Sequence, residues 1–202
     1  MAQFIIEMGS GNTCRNDRAE VEKMIDAVAG VDSGEHEVIL KWQLFVHAPP
    51  NEMLYSGVFD HAYHYAKMYG YETTASVFDE LSLKFLLLYD VPFVKIACRP
   101  HLYSLIRKCP APVYVSVSRP DILDDEPGVT RLCCVPEYPA SLEDYERIFP
   151  NLRHVSDHTV GWQLYRRARP EIIEKHFVHE RRAVNPDAGP FSVLPHELGE
   201  VL

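Results

Sequence analysis

One alternation, repeated along the whole chain, constrains the fold more than any other feature. A short apolar, β-rich run is followed by a stretch with helical spacing, and then by another run. The strand-like runs are residues 3–8, 36–45 (HEVILKWQLF), 73–78, 92–98 (PFVKIAC), 112–118 (PVYVSVS), 130–135 (TRLCCV), 153–156 and 171–177 (EIIEKHF). Helical stretches fall at 17–29, 57–68, 79–89 and 100–108, after Ser141, through WQLYRRA, and near Pro195. Asp17 is a candidate N-cap, and Ser141 begins a segment resembling a capping box. Strands that are apolar on both faces and separated by helices imply a parallel sheet. Eight such units predict a closed (β/α)8 TIM barrel with short helices rather than an open doubly wound sheet. The chain has 202 residues, the length of one domain with lean connections, so residues 1–202 are expected to form a single barrel.

Composition narrows the function. A formal charge of −9 argues against a nucleic-acid partner held by a broad basic surface. No apolar run approaches the roughly 20 residues of a membrane span, and the first residues carry no basic region of a signal peptide. The expectation is a soluble, cytoplasmic protein without a membrane partner. The cysteines at 14, 98, 109, 133 and 134 form no CxxC pair. They read as reduced, mostly structural thiols.

Functional groups in such barrels sit at the C-terminal ends of the strands. Those ends carry Glu7, Lys41, Gln43, Ser76, Lys95, Ser116, Tyr138, Ser156, Asp157, His158, Glu174 and His176. Charge buried inside a barrel is costly unless it is paired or used. His158 and His176 end neighbouring strands, which lie roughly 5 Å apart, so both imidazoles are expected at one divalent-metal site. Imidazole with oxygen ligands suits Mn, Zn, Co or Fe, and Asp157 and Glu174 are expected to orient the rings or to ligate. Lys41 and Lys95, with hydroxyls of Ser76, Ser116 and Ser156, read as recognition of a small anionic substrate carrying phosphate or carboxylate. An internal salt bridge, such as Lys41 with Glu7, is the plainer alternative. Cys98 beside Lys95 reads as a structural thiol rather than a nucleophile, and Arg99 and Arg119 as solvated loop residues rather than replacements in anion recognition.

FIIEMG, LKWQ, VKIAC, EYPAS, VSDHT, IIEKHF and NPD occur in an order and spacing that resembles the N-acetylneuraminate (sialic acid) synthase family, from about Phe4 to Asp187. That family condenses phosphoenolpyruvate with an N-acylated amino sugar. The resemblance implies that His158 and His176 hold a divalent metal, usually Mn or Mg, which polarises the sugar aldehyde. It further implies that Lys41, Lys95, Ser116 and Ser156 grip phosphoenolpyruvate, and that Glu7, Gln43, Tyr138 and Asp187 stand near the sugar. Catalytic roles are expected of Glu7, Lys41, Lys95 and Glu174.

The sequence also departs from the family pattern. Cys98 and Pro100 replace the serine and glutamate that follow the strand-four lysine. Val117 and Ser118 replace a threonine-glycine pair, and Cys133-Cys134-Val135-Pro136 replaces a polar run. Nothing after the barrel matches the family's antifreeze-like domain, so the resemblance implies a homodimer or separate protein as lid, a changed substrate, or lost activity. Three functions follow from these readings. They are a related carbon-carbon bond-forming enzyme, a non-catalytic barrel binding a metal and a sugar-phosphate-like ligand or protein partner, and an isomerase using Glu7 and Glu174 for proton transfer.

Overall fold

The computed structural model describes residues 1–44, 51–123, 126–182 and 184–202. In chain order the elements are β1 (Gln3–Glu7), α1 (Gly11–Cys14), α2 (Arg18–Ala29), β2 (Glu37–Leu44), α3 (Ser56–Met68), β3 (Glu72–Val77), α4 (Glu80–Leu86) and β4 (Val94–Ile96). A 3-10 helix (Pro100–Lys108), β5 (Val113–Val117), β6 (Val129–Cys134), α5 (Leu142–Ile148), β7 (His154–Asp157), α6 (Gln163–Ala168) and β8 (Ile172–His176) follow. A 3-10 turn at Pro186–Ala188 precedes α7 (Pro195–Leu198). All strands pair in parallel and in sequence order, and β8 closes the ring on β1. The expected (β/α)8 TIM barrel is therefore present. The end of the second strand expected at Phe45 lies outside the described residues.

Local chemistry explains the element ends. The Asp17 carboxylate accepts from the Ala19 amide at 2.9 Å and starts α2, and the Ser141 hydroxyl accepts from the Asp144 amide at 3.1 Å and starts α5. On α2 the buried Val21, Met24, Ile25 and Val28 follow helical spacing and face the sheet. On α3 the same spacing buries Val58, Phe59, Ala62, Tyr63 and Ala66, while His64, Lys67, Met68 and Tyr69 are exposed. Strand β4 is short because Pro92 and Pro100 bracket it, and neither can donate to a strand ladder.

Alternation along the strands divides the barrel into layers. Outward positions such as Ile6, Leu40, Trp42, Ala75, Val94, Val115 and Ile173 join the large core beneath the helices. Positions of the opposite parity fill the interior. Ile5, Ile39, Phe93 and Leu132 form a separate apolar cluster at the floor, with Tyr114 stacked on Phe93 at 3.9 Å between ring centres. Two residues further along the same strands the interior turns polar: Glu7, Lys41, Lys95, Ser116, Cys134 and Glu174. The floor blocks the barrel from below, so this polar layer opens only at the C-terminal face.

Asp157 departs from expectation. It ends β7 facing outward, where its carboxylate accepts from Lys175 at 3.1 Å, and both side chains are fully buried. The Lys175 amine also donates to the Thr159 carbonyl at 2.6 Å and lies over Trp162. Asp157 therefore takes no part in holding the histidines, because strand parity puts it on the opposite face from His158's site. Lys175→Met leaves the Asp157 carboxylate buried and unpaired. It is expected to destabilise the fold by about 3–5 kcal/mol in urea unfolding, while anion affinity of the folded protein stays unchanged.

Candidate active site

Seven strands send side chains to one cavity of about 260 Å³ at the C-terminal mouth. Its lining includes Lys41, Gln43, Ser76, Lys95, Ser116, Tyr138, Ser156, His158, Glu174 and His176. Ten of the residues expected from sequence are thus brought together. Glu7 and Asp187 stand beside them on His176. An outer cavity of about 560 Å³ shares Gln43, Phe78, Arg99, Tyr138 and His176 and adds Asn51, Pro186, Asp187 and Phe191.

At the base, Glu174 lies between two lysines. One of its oxygens is 3.4 Å from the Lys41 amine and the other 3.4 Å from that of Lys95. Lys41 also donates to Ser76 at 3.1 Å, Lys95 to Ser116 at 2.7 Å, and Ser156 to Glu174 at 3.2 Å. Burial would raise the Glu174 pKa, but Lys41 and Lys95 override it and hold the carboxyl at about 2. For Lys95, burial dominates and lowers the pKa, with Glu174 opposing. Glu7 is the second carboxylate of this layer, so two amines face two carboxylates. Glu174 is thus an acidic bridge for the lysines, correcting the expectation that it orients the histidines. The internal salt bridge forms as well: Lys41 is 3.9 Å from Glu7 and nearer to Glu174.

The second centre is built around His176. Its Nδ1 is 2.5 Å from Glu7 Oε2 and 3.5 Å from Asp187 Oδ1. Burial lowers the imidazole pKa, but the Glu7 and Asp187 charges prevail and raise it to about 9. Glu7 falls to about 2, the charges on His176 and Lys41 overcoming its burial. The Gly9 amide fixes Glu7 by donating to Oε1 at 2.7 Å, and Thr13 fixes Asp187 by donating at 2.7 Å. Gly9 has φ +78°, and a Cβ there would come within 2.0 Å of the Thr13 hydroxyl. Only glycine fits this turn.

His158 is arranged differently. Its Nδ1 pairs with the Val135 carbonyl at 2.7 Å, which leaves Nε2 as the remaining ring nitrogen. Burial, helped by the nearby His176, lowers its pKa to about 3, so the imidazole is neutral. The Tyr145 hydroxyl donates to the Ser156 carbonyl at 2.5 Å and accepts from the His158 amide at 3.1 Å, so α5 sets the end of β7. The two histidine rings lie 5.6 Å apart between centres, and Tyr138 stacks on His158 at 4.1 Å.

Whether these residues suit a divalent metal can be tested on the donors themselves. Glu7, His176 and Asp187 offer ligand atoms all within 4.8 Å of one another. Glu7 Oε2 and His176 Nδ1 face each other at 2.5 Å, so a cation would enter here by displacing the imidazole proton that Glu7 and Asp187 favour. One imidazole nitrogen and two carboxylate oxygens fit Mn, Fe or Zn. His176 thus has Glu7 and Asp187 at its Nδ1, and His158, the other histidine expected at a metal, stands beside it with ring centres 5.6 Å apart. A second acidic cluster, Glu20, His179 and Glu180, is already neutralised by Lys23 on Glu20 and by Arg15 and Arg182 on Glu180.

Sequence reasoning assigned no site role to Phe78 or Cys134, and read Cys98 as structural and Arg99 as solvated; all four line the inner cavity. Counting strand parity from Leu132 would have placed Cys134 inside. Arg119 pairs with Asp121 at 3.2 Å at the surface and is absent from the cavity lining.

A plugged parallel barrel whose polar layer opens at the C-terminal face defines the chain as a TIM barrel with a strand-borne site. Solved structures with the same fold sharpen the likeness. The N-acetylneuraminic acid (sialic acid) synthetase of Leptospira borgpetersenii, in complex with citrate, matches at TM-score 0.76 and 21% identity over 98% of this chain and 80% of that one. Spore coat polysaccharide biosynthesis protein spsE of Bacillus subtilis matches at TM-score 0.70 and 22% identity, over 98% and 65%. The DAHP synthase of Thermotoga maritima matches at TM-score 0.66 and 12% identity, over 98% and 67%. At these identities the likeness establishes the fold. No protein-family model and no curated protein matches the chain. No helix among the described residues is long and apolar enough to cross a membrane.

The Lys41–Glu174–Lys95 bridge makes a direct expectation. Glu174→Gln removes the internal anion that competes for both amines. Inorganic phosphate should bind roughly tenfold tighter, about 1.4 kcal/mol, by isothermal titration, and Lys95→Met should abolish the gain. Unchanged affinity in Glu174→Gln would mean that phosphate does not meet these lysines.

Proposed function

We propose that this barrel is a metal-assisted synthase that joins phosphoenolpyruvate, or a related keto-acid donor, to an N-acyl amino sugar or similar aldehyde. One observation carries the reading. Lys41 and Lys95, each nearly inaccessible to solvent, share a single carboxylate at the base of a cavity lined with serine hydroxyls, beside a His176-centred ligand group. Paired amines and serine hydroxyls at that base suit a compact anion carrying phosphate or carboxylate. The joined outer cavity has room for a second, polyhydroxylated substrate facing Gln43, Tyr138 and Asp187.

In this reading the Lys41 and Lys95 amines hold the phosphate and carboxylate of the donor, with Ser76, Ser116 and Ser156 turning their hydroxyls from Glu174 and the lysines to the ligand. A divalent cation held by His176, Glu7 and Asp187, with His158 nearby, would supply Lewis acidity toward an aldehyde oxygen. Tyr138 packs across both histidine rings and positions the acceptor at the joint between the cavities. Burial loosens the proton on Lys95. Lys95, with the Tyr138 hydroxyl, would stand in for the glutamate that the sialic acid synthase pattern has at Pro100.

Pro100 also favours a second reading, since proline can neither give nor take a proton. In that case the barrel binds a metal and a sugar-phosphate-like anion without turnover. Phosphate release from phosphoenolpyruvate by metal-stripped protein separates the two, with and without Mn and a panel of N-acyl hexosamines. The synthase reading expects release that needs both additions and disappears in His176→Ala and His158→Ala. Retained Mn and phosphoenolpyruvate binding with no release from any sugar would replace it with the binding role.

A further inference from the structure

The buried cations of the mouth are answered by carboxylates. Lys41 and Lys95 face Glu174, Lys41 also faces Glu7, and His176 faces Glu7 and Asp187. Arg99 lines both the inner and the outer cavity, and among the described residues no carboxylate stands in ion-pair range of it. Its guanidinium lies instead over the Phe78 ring, 5.4 Å from the ring centre. That contact holds the side chain by its charge and flat surface. It supplies no oxygen acceptor, so the fork of N–H donors stays available to a carboxylate or phosphate. Asp79 shares the outer cavity but is engaged elsewhere, accepting from the Ser82 amide at 2.7 Å to cap α4. The backbone fixes where the arginine starts. Its amide donates to the Ala97 carbonyl at 2.7 Å, and its carbonyl accepts from the Leu102 amide at 2.9 Å. Pro100 opens the 3-10 helix directly after it, and the Tyr103 hydroxyl ties that helix to β5 by donating to the Ser116 carbonyl at 3.1 Å.

We propose that Arg99 is a specificity residue that binds a carboxylate or phosphate carried by the second substrate, so that the acceptor is an acidic aldose and not a neutral sugar. The inference rests on the synthase reading for the placement of donor and acceptor in the inner and outer cavities. The inner layer already offers Lys41 and Lys95 to the donor, so an oxyanion on Arg99 belongs to the molecule beyond it. The outer cavity of about 560 Å³ has room for a whole monosaccharide, and Gln43, Asn51 and Tyr138 give it neutral polar groups for hydroxyls. With Asp187 turned to His176 and Asp79 spent on its helix, Arg99 is the charge in that cavity left for a ligand. A neutral acceptor would leave the guanidinium in water and gain nothing from it. An acidic one gains a charge-assisted, two-pronged contact beside the Phe78 ring.

The test is isothermal titration of the intact chain with a hexose 6-phosphate, a hexuronic acid and the matching neutral hexose. At least one acidic sugar should bind about tenfold tighter than the neutral one, and the tighter of the two names the oxyanion. Arg99→Gln, with folding checked by circular dichroism, should remove that preference and leave inorganic phosphate binding within about twofold. Lys95→Met should do the reverse, because inorganic phosphate meets the inner amines. Arg99→Lys should fall between wild type and Arg99→Gln, keeping the charge without the fork. Absent or equal binding of acidic and neutral sugars, a preference that survives Arg99→Gln, or one lost in Lys95→Met instead would overturn the proposal. Since no turnover is read, a failure of phosphoenolpyruvate to release phosphate would strike the synthase reading without altering these affinities.

Discussion

The Glu174 bridge between Lys41 and Lys95 is the interaction on which the rest of the site depends. Three charged groups from β2, β4 and β8 are removed from water together, and isolated charges in such a place would neutralise or unfold the protein. Each lysine therefore needs a carboxylate oxygen and a hydroxyl. Glu174 supplies one oxygen to each, and Ser76 and Ser116 supply the hydroxyls. Glu7, 3.9 Å from Lys41, and Asp187 balance the remaining charge together with His176. What the cavity offers an anionic ligand is two buried amines with serine hydroxyls beside them, in a chain whose overall charge is −9.

The barrel makes this cluster possible by stacking two unlike layers. Ile5, Ile39, Phe93 and Leu132 plug the floor, so water and ligand reach the charged layer from one side only. Because the lysines, Glu174 and both histidines sit on or directly after strands, ladder hydrogen bonds fix their positions more firmly than loops could. Loops contribute the remainder. Asp187 arrives on the 3-10 turn at Pro186–Ala188, held by Thr13 across Gly9, and Tyr138 arrives ahead of α5. The framework that grips the anion is thus the rigid part, and the surfaces that would meet a second substrate are carried by connecting segments.

The motifs that resemble the sialic acid synthases lie at the strand ends around the cavity, and the likeness to solved barrels concerns the fold. The departures from the motif pattern concern one sector of the ring, from β4 to β6. There Cys98, Pro100, Val117 and Cys134 stand where the pattern has polar residues, and both cysteines line the cavity wall. The β7, β8 and β1 sector matches the pattern at both histidines and Glu7. The departures thus cluster on one side of the cavity, beside Lys95.

The sequence by itself determined the eight-fold strand and helix alternation, the closed barrel, and the set of residues at its mouth. It could do so because strand parity and helical spacing are local properties written in consecutive residues. Tertiary structure alone decided which of those residues face one another. Asp157 and His158 are adjacent in sequence, yet one pairs with Lys175 outside the ring while the other lines the cavity. Glu174 could have served the histidines or the lysines, and the register of β8 against β1 and β7 gave it to the lysines. Glu7 and Asp187 were brought to His176 Nδ1 by the closure of β1 on β8 and by Thr13, while the Val135 carbonyl ties one ring nitrogen of His158. Contacts between residues far apart in the chain depend on ring closure and loop path, which no local pattern encodes.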